Sequence, residues 1–351
     1  MNDTQPNTRQ QQILAYLLIH PHSSRPDLEK AIKGETVSRI TVIRDLNTLT
    51  SSGWIEQSGG GRHVYYSLTP EKTILIPTDM EAYFAKEPDA RSVTYPAFNF
   101  AVIERLTSLF SESELAFFED GRKKLTSALQ KTDPTILRRE LERFTIELSW
   151  KSSQIEGNTY SLLETEELIK NKKEAKGHDK SEATMILNHK TAFDTILEHK
   201  ETFQDVSLAD IRSLHQELVK GLGVSTGIRK SGVGITGTTY KPLDDSWRIE
   251  EALTKITKQA HQVSAVPEKA LIFLVMISYL QPFADGNKRT SRMISNAVLL
   301  ANGYFPLSYR SVDEVEYKKA LILFYEQNNL YHLKRIFLEQ QRFAMENYFL
   351  S

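Results

Sequence analysis

The string Gln281-Pro282-Phe283-Ala284-Asp285-Gly286-Asn287-Lys288-Arg289-Thr290-Ser291-Arg292 lies between two stretches of helical texture. Before it, Glu268 to Leu280 is apolar on nearly every face and predicts a buried helix. After it, Met293, Ile294, Ala297, Val298 and Leu300 continue a second helix that stops at Gly303. The string is therefore a loop that opens a helix at the centre of a mainly α domain. Helix N-termini carry unpaired N–H groups and a partial positive charge. Gly286 and Asn287 tolerate the left-handed backbone that lets successive N–H groups converge on an anion. Arg289 and Arg292 share one face of the first turn, where cations run against the dipole, so a bound anion would compensate them. Asp285 is a hard oxygen ligand beside them, suited to Mg2+ shared with phosphates. These features describe a nucleotide polyphosphate site. On Gly-Asn and two arginines alone, a plain helix junction with surface arginines is the commoner reading.

The whole string resembles the signature of the Fic family, H-P-F-x-[DE]-G-N-[GK]-R-x-x-R, and matches every fixed position except the first. The likeness extends over most of residues 100–340. It implies a helical Fic fold that transfers AMP from ATP to a Ser, Thr or Tyr hydroxyl of a target protein, or of the chain itself. Some relatives transfer other phosphate-bearing groups. By the same resemblance Asp285 would hold Mg2+, and the backbone of Gly286, Asn287 and Lys288 would cradle phosphates, with Arg289 assisting. Arg292 would hold the terminal phosphate, and Tyr317 resembles an adenine-contacting position. Between Gly232 and Tyr240, glycine and β-branched residues alternate, which predicts a small β-hairpin. Val233, Gly234, Ile235, Thr236 and Gly237 resemble the family's flap, which aligns a target segment by strand addition.

The departure is at the first position. The family's histidine takes the proton from the target hydroxyl, and here that position is Gln281. An amide has no basic lone pair near neutral pH, so it cannot act as general base. Losing such a base costs roughly 10²–10⁴-fold in rate. Positioning and electrostatic terms would survive, so nucleotide binding is better supported than transfer. His261 and His215 are near in sequence, but nothing in the sequence places either at the loop.

Ser152-Ser153-Gln154-Ile155-Glu156-Gly157-Asn158 follows a predicted helix from Thr135 with Leu137, Leu141, Phe144 and Leu148 on one face. An acid at a helix C-terminus opposes the dipole, so Glu156 should find a partner elsewhere. The string resembles the Fic inhibitory motif, [ST]-x-x-x-E-[GN], with Ser152, Glu156 and Gly157 at its fixed positions. In that family the glutamate pairs with the second arginine of the signature, here Arg292, and turns ATP into an unproductive pose. A surface glutamate at a helix end is the plain alternative.

Residues 1–70 read as three helices and a two-stranded ribbon with a glycine tip, resembling a winged helix-turn-helix. The third helix, Ser38 to Ser52, is expected to bury Ile40, Ile43, Leu46 and Leu49. It would offer Arg39, Thr41 and Arg44 to the major groove of DNA, with Arg62 on the wing. The module is only weakly basic: Arg9, Arg25, Lys30, Lys33, Arg39, Arg44 and Arg62 face Asp3, Asp27, Glu29, Glu35, Asp45 and Glu56. A role in protein contact or homodimer formation stays open beside DNA binding. Residues 71–100 read as a linker draped over a neighbour, and 101–351 as the Fic domain, including the inhibitory helix 135–158. A capping box at Ser311 and another at Ser207 mark two helix starts.

Composition sets the outer bounds. The chain has 351 residues, a net charge of −1 and no cysteine. Sulfur nucleophiles, disulfides and Cys-ligated metals are excluded. The polar start, MNDTQPNTRQQQ, lacks the apolar core of a signal peptide. No stretch approaches the ~20 apolar residues that span a bilayer. No membrane association and a cytoplasmic location are expected.

Overall fold

The computed structural model describes residues 6–32, 37–61 and 63–349. Its N-terminal part contains helices α1 (Thr8–Ile19), α2 (Arg25–Ala31) and α3 (Arg39–Ser51). Strands β1 (Ser23–Ser24), β2 (Ile55–Gly60) and β3 (His63–Leu68) form an antiparallel sheet with β3 in the middle. Ile13, Leu14, Leu17, Leu28, Val42, Leu46, Leu49 and Ile55 close a core of their own. Two expectations for this part change. Ile40 is 64% exposed and Ile43 37%, while Val42 and Asp45 turn inward. Each step of three residues backs up by about 60° on a helix, so Ile40 and Leu49, nine apart, lie on opposite sides. The inward face is instead 42, 45, 46 and 49. Strand β1, at two residues, is too short to leave a periodic signal.

The segment after β3 is held along its length. Ile76 packs in the N-terminal core, whereas Ile74 and Leu75 pack in the body. Helix α4 (Met80–Phe84) follows a cap by Asp79. Further along, the Thr94 and Tyr95 amides both donate to the carbonyl of Glu326.

The body is helical: α5 (Ala101–Arg105), α6 (Glu112–Lys131), α7 (Pro134–Gln154), α8 (Leu162–Asn171), α9 (Lys180–Glu198), α10 (Leu208–Leu218), α11 (Ser246–Gln262), α12 (Val266–Leu280), α13 (Asn287–Ala301), α14 (Glu314–Gln327) and α15 (Tyr331–Asn347). Every residue of α12 from Ala270 to Leu280 is buried. Each such Leu, Ile or Phe contributes about 1.5–3 kcal/mol. That burial fixes α12 and α13 as the central pair and so fixes the loop between them.

Two local expectations fail in the body. The segment 232–240 is no hairpin; it is extended with one turn at Thr236–Gly237, and its end forms a lone parallel bridge, Ala97 to Lys241. Its glycines leave few side chains for cross-strand packing, and its polar contacts go to other segments. Helix α14 is capped by Asp313, whose side chain accepts the Glu316 amide; Ser311 instead accepts a hydrogen bond from Gln340.

Candidate active site

Helix α12 ends on Gln281, which takes a left-handed conformation (φ 50°, ψ 59°). Both ends of its amide are engaged: Nε2 donates to the Ser278 carbonyl (2.7 Å), and Oε1 accepts from Asn287 Nδ2 (2.9 Å). Asn287 also grips the backbone of Phe283 from both sides, accepting its N–H (2.8 Å) and donating to its carbonyl (2.9 Å). Gly286 caps α13 without a side chain, at φ 78°. A Cβ there would come within 2.9 Å of Val219 Cγ1. Both the conformation and the space require glycine.

Two buried side chains from outside the loop, Arg229 and His215, hold it, and the motif reading missed their roles. Arg229 donates to the Gln281 carbonyl (2.6 Å) and, through its backbone, to Pro282 (3.1 Å). His215 of α10 stacks flat on Phe283 (3.7 Å between centroids) and donates Nε2–H to the Asp285 carbonyl (3.0 Å). Burial, offset in part by that carbonyl, pushes its pKa down to about 4. So a histidine does stand at the loop, but it is buried behind it. His261 gives its Nε2 to the Val206 carbonyl instead. Tyr325 lines the cleft beside Gln281 with a buried hydroxyl that has no partner.

Arg292 lies inside the molecule with a side chain 1% exposed. It donates to Glu156 Oε1 (2.9 Å), to the Ser152 hydroxyl (3.0 Å) and to the Ser152 carbonyl (2.8 Å). Its Nη1 has no hydrogen-bond partner. Lys288 stands 3.4 Å from the other Glu156 oxygen. Burial works against ionising Glu156, yet Arg292 and then Lys288 outweigh it and hold the carboxyl below its ordinary range. Behind Ser152 sits His189, fully buried. It donates Nδ1–H to the Met185 carbonyl (2.9 Å), which leaves Nε2 to accept the Ser152 hydroxyl (2.9 Å). Burial first, and then Arg289, pushes His189 down to about 3, so it is neutral.

Asp285 leaves its side chain 69% exposed at the mouth, one oxygen taken by the Gly286 amide and the other 3.5 Å from Arg289. Arg289 also donates to the Leu218 carbonyl (3.2 Å). Gln281, Asp285, Asn287, Lys288, Glu156, Gly157, Val233, Gly234, Ile235 and Thr236 line one cleft of about 1100 Å³, open to solvent. The structure thus gathers the loop, Glu156 and Gly157, and residues 233–236 around one cleft. Tyr317 is different. It is 0% exposed and lies behind Arg292, 5.8 Å from its guanidinium, so in this state it offers no surface to a base. Lys318, Leu321 and Ile322 of the same helix line the cleft instead. Arg39 and Arg44 are exposed and Thr41 partly so on α3; Arg62 lies outside the described residues.

Residues 205–299 carry a Fic/DOC family domain, as shown by their match to that family's model. The chain is similar to the protein adenylyltransferase Fic of Aedes aegypti, 29% identical over 195 residues, or 54% of this chain and 38% of that protein. It spans under two fifths of that relative's length. Among solved structures it resembles Fic-1 from C. elegans (TM-score 0.56, 19% identity, 67% of this chain and 70% of that one). It also resembles a Fic domain containing signaling protein from Bacteroides thetaiotaomicron (TM-score 0.54, 18% identity, 66% and 96%). The structural likenesses establish a mainly helical Fic fold.

Proposed function

We propose that this chain is an autoinhibited, nucleotide-binding protein of the adenylyltransferase type, with transfer crippled by Gln281. The observation that carries the reading is the Glu156–Arg292 pair, 2.9 Å apart, with Lys288 of the uncapped first turn of the same helix 3.4 Å from the other carboxylate oxygen. A carboxylate sits where the helix N-terminus and two arginines would otherwise hold a phosphate. The residues fit ATP: the N-terminus of α13 at Gly286 has no side-chain cap, and the unpartnered Arg292 Nη1 can donate to a phosphate oxygen. They fit Mg2+ in its usual manner, with the exposed Asp285 carboxylate as the protein ligand and phosphates and water supplying the rest. Mg2+ would neutralise phosphate charge. The loop's amides, Lys288 and Arg289 would orient the nucleotide. The flap edge would present a Ser, Thr or Tyr hydroxyl of a target or of the chain itself. Among the described residues lining the cleft there is no histidine to stand in for the base: His215 is buried and committed to Asp285, and Gln281 is held by two hydrogen bonds.

The test is a calorimetric titration of ATP and Mg2+ into this chain and into Glu156→Gly. Glu156→Gly should bind on the order of 10–100-fold tighter, because charge-assisted hydrogen bonds contribute about 1.5–3 kcal/mol. Absence of binding in both rejects the reading.

A second reading follows from α3, which exposes Arg39 and Arg44 from an N-cap at Ser38. It makes the chain a DNA-binding regulator, docked through a winged helix-turn-helix, whose Fic domain senses nucleotide or a partner without chemistry. A palindromic operator would then require a homodimer. Salt-dependent binding to duplex DNA that weakens in Arg39→Ala and Arg44→Ala tests it.

A further inference from the structure

Glu326 lies in the last turn of α14, where the helix dipole opposes a carboxylate, and its side chain is 0% exposed. Its partners come from two segments more than 140 residues apart in the chain. From the segment before the body, Arg91, itself 2% exposed, stands 3.3 Å from Glu326 Oε2, and Tyr83 donates its hydroxyl (2.7 Å). From the flap, Thr238 donates its hydroxyl to Glu326 Oε1 (2.5 Å). Arg91 also reaches the flap directly, donating to the Gly237 carbonyl at its turn. The Lys241 amide at the flap's end donates to the Pro96 carbonyl (2.9 Å). Among the described residues, the backbone from Gly232 to Thr236 makes no hydrogen bond to any other segment. The flap's place over the cleft therefore depends on its ends, and its far end is clamped to Glu326 and Arg91.

We propose that Arg91 and Glu326 are positioning residues for the flap, and that through them residues 77–99, which join the N-terminal module to the body, set where the flap edge stands. The claim rests on the reading of 233–237 as the edge that receives an extended, hydroxyl-bearing peptide. Removing either charge strands the other in a buried site. Replacing Thr238 loosens the flap with both charges kept.

The absence of cysteine makes the test clean, since one introduced thiol takes a nitroxide label uniquely. Thr236→Cys reports the flap and Ser92→Cys the preceding segment. In the full chain, Arg91→Met and Thr238→Val should each raise label mobility at both positions at least about twofold. Arg91→Lys, which keeps the charge but not the second arm to Gly237, should give an intermediate value. ATP affinity in a Glu156→Gly background should stay within about twofold of its parent. Should Arg91→Met fail to fold, Thr238→Val and Tyr83→Phe carry the measurement. Unchanged mobility at both labels in folded variants overturns the proposal, as does a flap that loosens while Ser92→Cys does not. Loss of ATP binding in the parent itself would sink the functional reading and leave the coupling to be judged on mobility alone.

Discussion

The cleft has two walls built on opposite principles. The loop wall, 281–292, is held from many directions: Arg229, His215, Asn287 and Ser278 bind its backbone or its first side chain, and α12 and α13 bury its flanks. The flap wall, 232–237, has free backbone edges and is tied at its ends. The first arrangement suits a ligand whose shape is always the same, such as a polyphosphate. The second suits a partner that supplies its own hydrogen bonds, such as an extended peptide. A fixed wall and an accepting wall also divide the chemistry. On the proposed reading, Gln281 withholds one proton acceptor, while the flap edge stays open to a partner.

The sharpest way to break this contrast is to restore the base. If the loop wall is otherwise preorganised, Gln281→His in a Glu156→Gly background should raise transfer of labelled AMP to protein by roughly 10²–10⁴-fold. No gain would mean that the loop's geometry, and not merely its base, is lost. Substantial labelling by the unaltered chain would refute the role assigned to the glutamine.

The same glycine-to-alanine change separates the walls by stability. Gly286→Ala meets a left-handed φ of 78° and a side chain at 2.9 Å. Left-handed alanine costs about 1–2 kcal/mol, and overpacking adds roughly 1–3 kcal/mol. Thermal or chemical unfolding should show a loss of about 2–5 kcal/mol, and a loss below about 1 kcal/mol would show that the loop yields more than its contacts imply.

Acid tests the rigid side. His189 is fully buried and neutral, with its pKa pushed down to about 3 from 6.5. The unfolded chain binds a proton near pH 6.5 that the folded chain refuses, so this group makes stability fall as pH drops below 6.5. Between pH 6.5 and 5 the loss amounts to about 2 kcal/mol. His189→Gln should flatten that part of the profile. Glu156 acts in a lower window: its carboxyl is held below 4.5, so its pair with Arg292 persists above that value and is lost as pH falls further. A profile with equal slope in His189→Gln would remove His189 from the account.

The two walls also differ in what the sequence reveals. Linear strings carry the loop and the segment that meets it at Arg292, so Gln281 to Arg292 and Ser152 to Gly157 can be read directly. Arg229, His215, His189, Arg91 and Glu326 act on backbone or side chains 37 or more residues away. Nothing in their own neighbourhoods marks them. The flap misleads for the opposite reason. Alternating glycine and β-branched residues imitates a hairpin, but glycine adds no side chain to stabilise a cross-strand pair. On α3 the error lay in spacing: steps of three drift around the helix, and only Val42 in place of Ile40 and Ile43 completes the inward face. Tyr317 shows a limit of position alone, since its place in the sequence says nothing about the arginine in front of it.

The smallest effect is the most discriminating for the flap. Gly237 has φ 86°, but a Cβ there would meet only Ile322 Cδ1 at 3.4 Å, an ordinary contact. Gly237→Ala should therefore cost the backbone term alone, about 1–2 kcal/mol if the turn must keep its shape. A wall fixed only at its ends can relax, because its free stretch up to Thr236 can absorb a shift of the turn that keeps the contacts of Gly237 and Thr238 to Arg91 and Glu326. Relaxation would bring the loss in unfolding free energy to under about 1 kcal/mol, within the range of ordinary surface substitutions at ~0.5 kcal/mol or a little above. A cost equal to that of Gly286→Ala would mean that Arg91 and Thr238 hold the turn as firmly as His215 and Arg229 hold the loop. The two walls would then be alike in rigidity, and the flap's free edge would be a preformed template, not a yielding one.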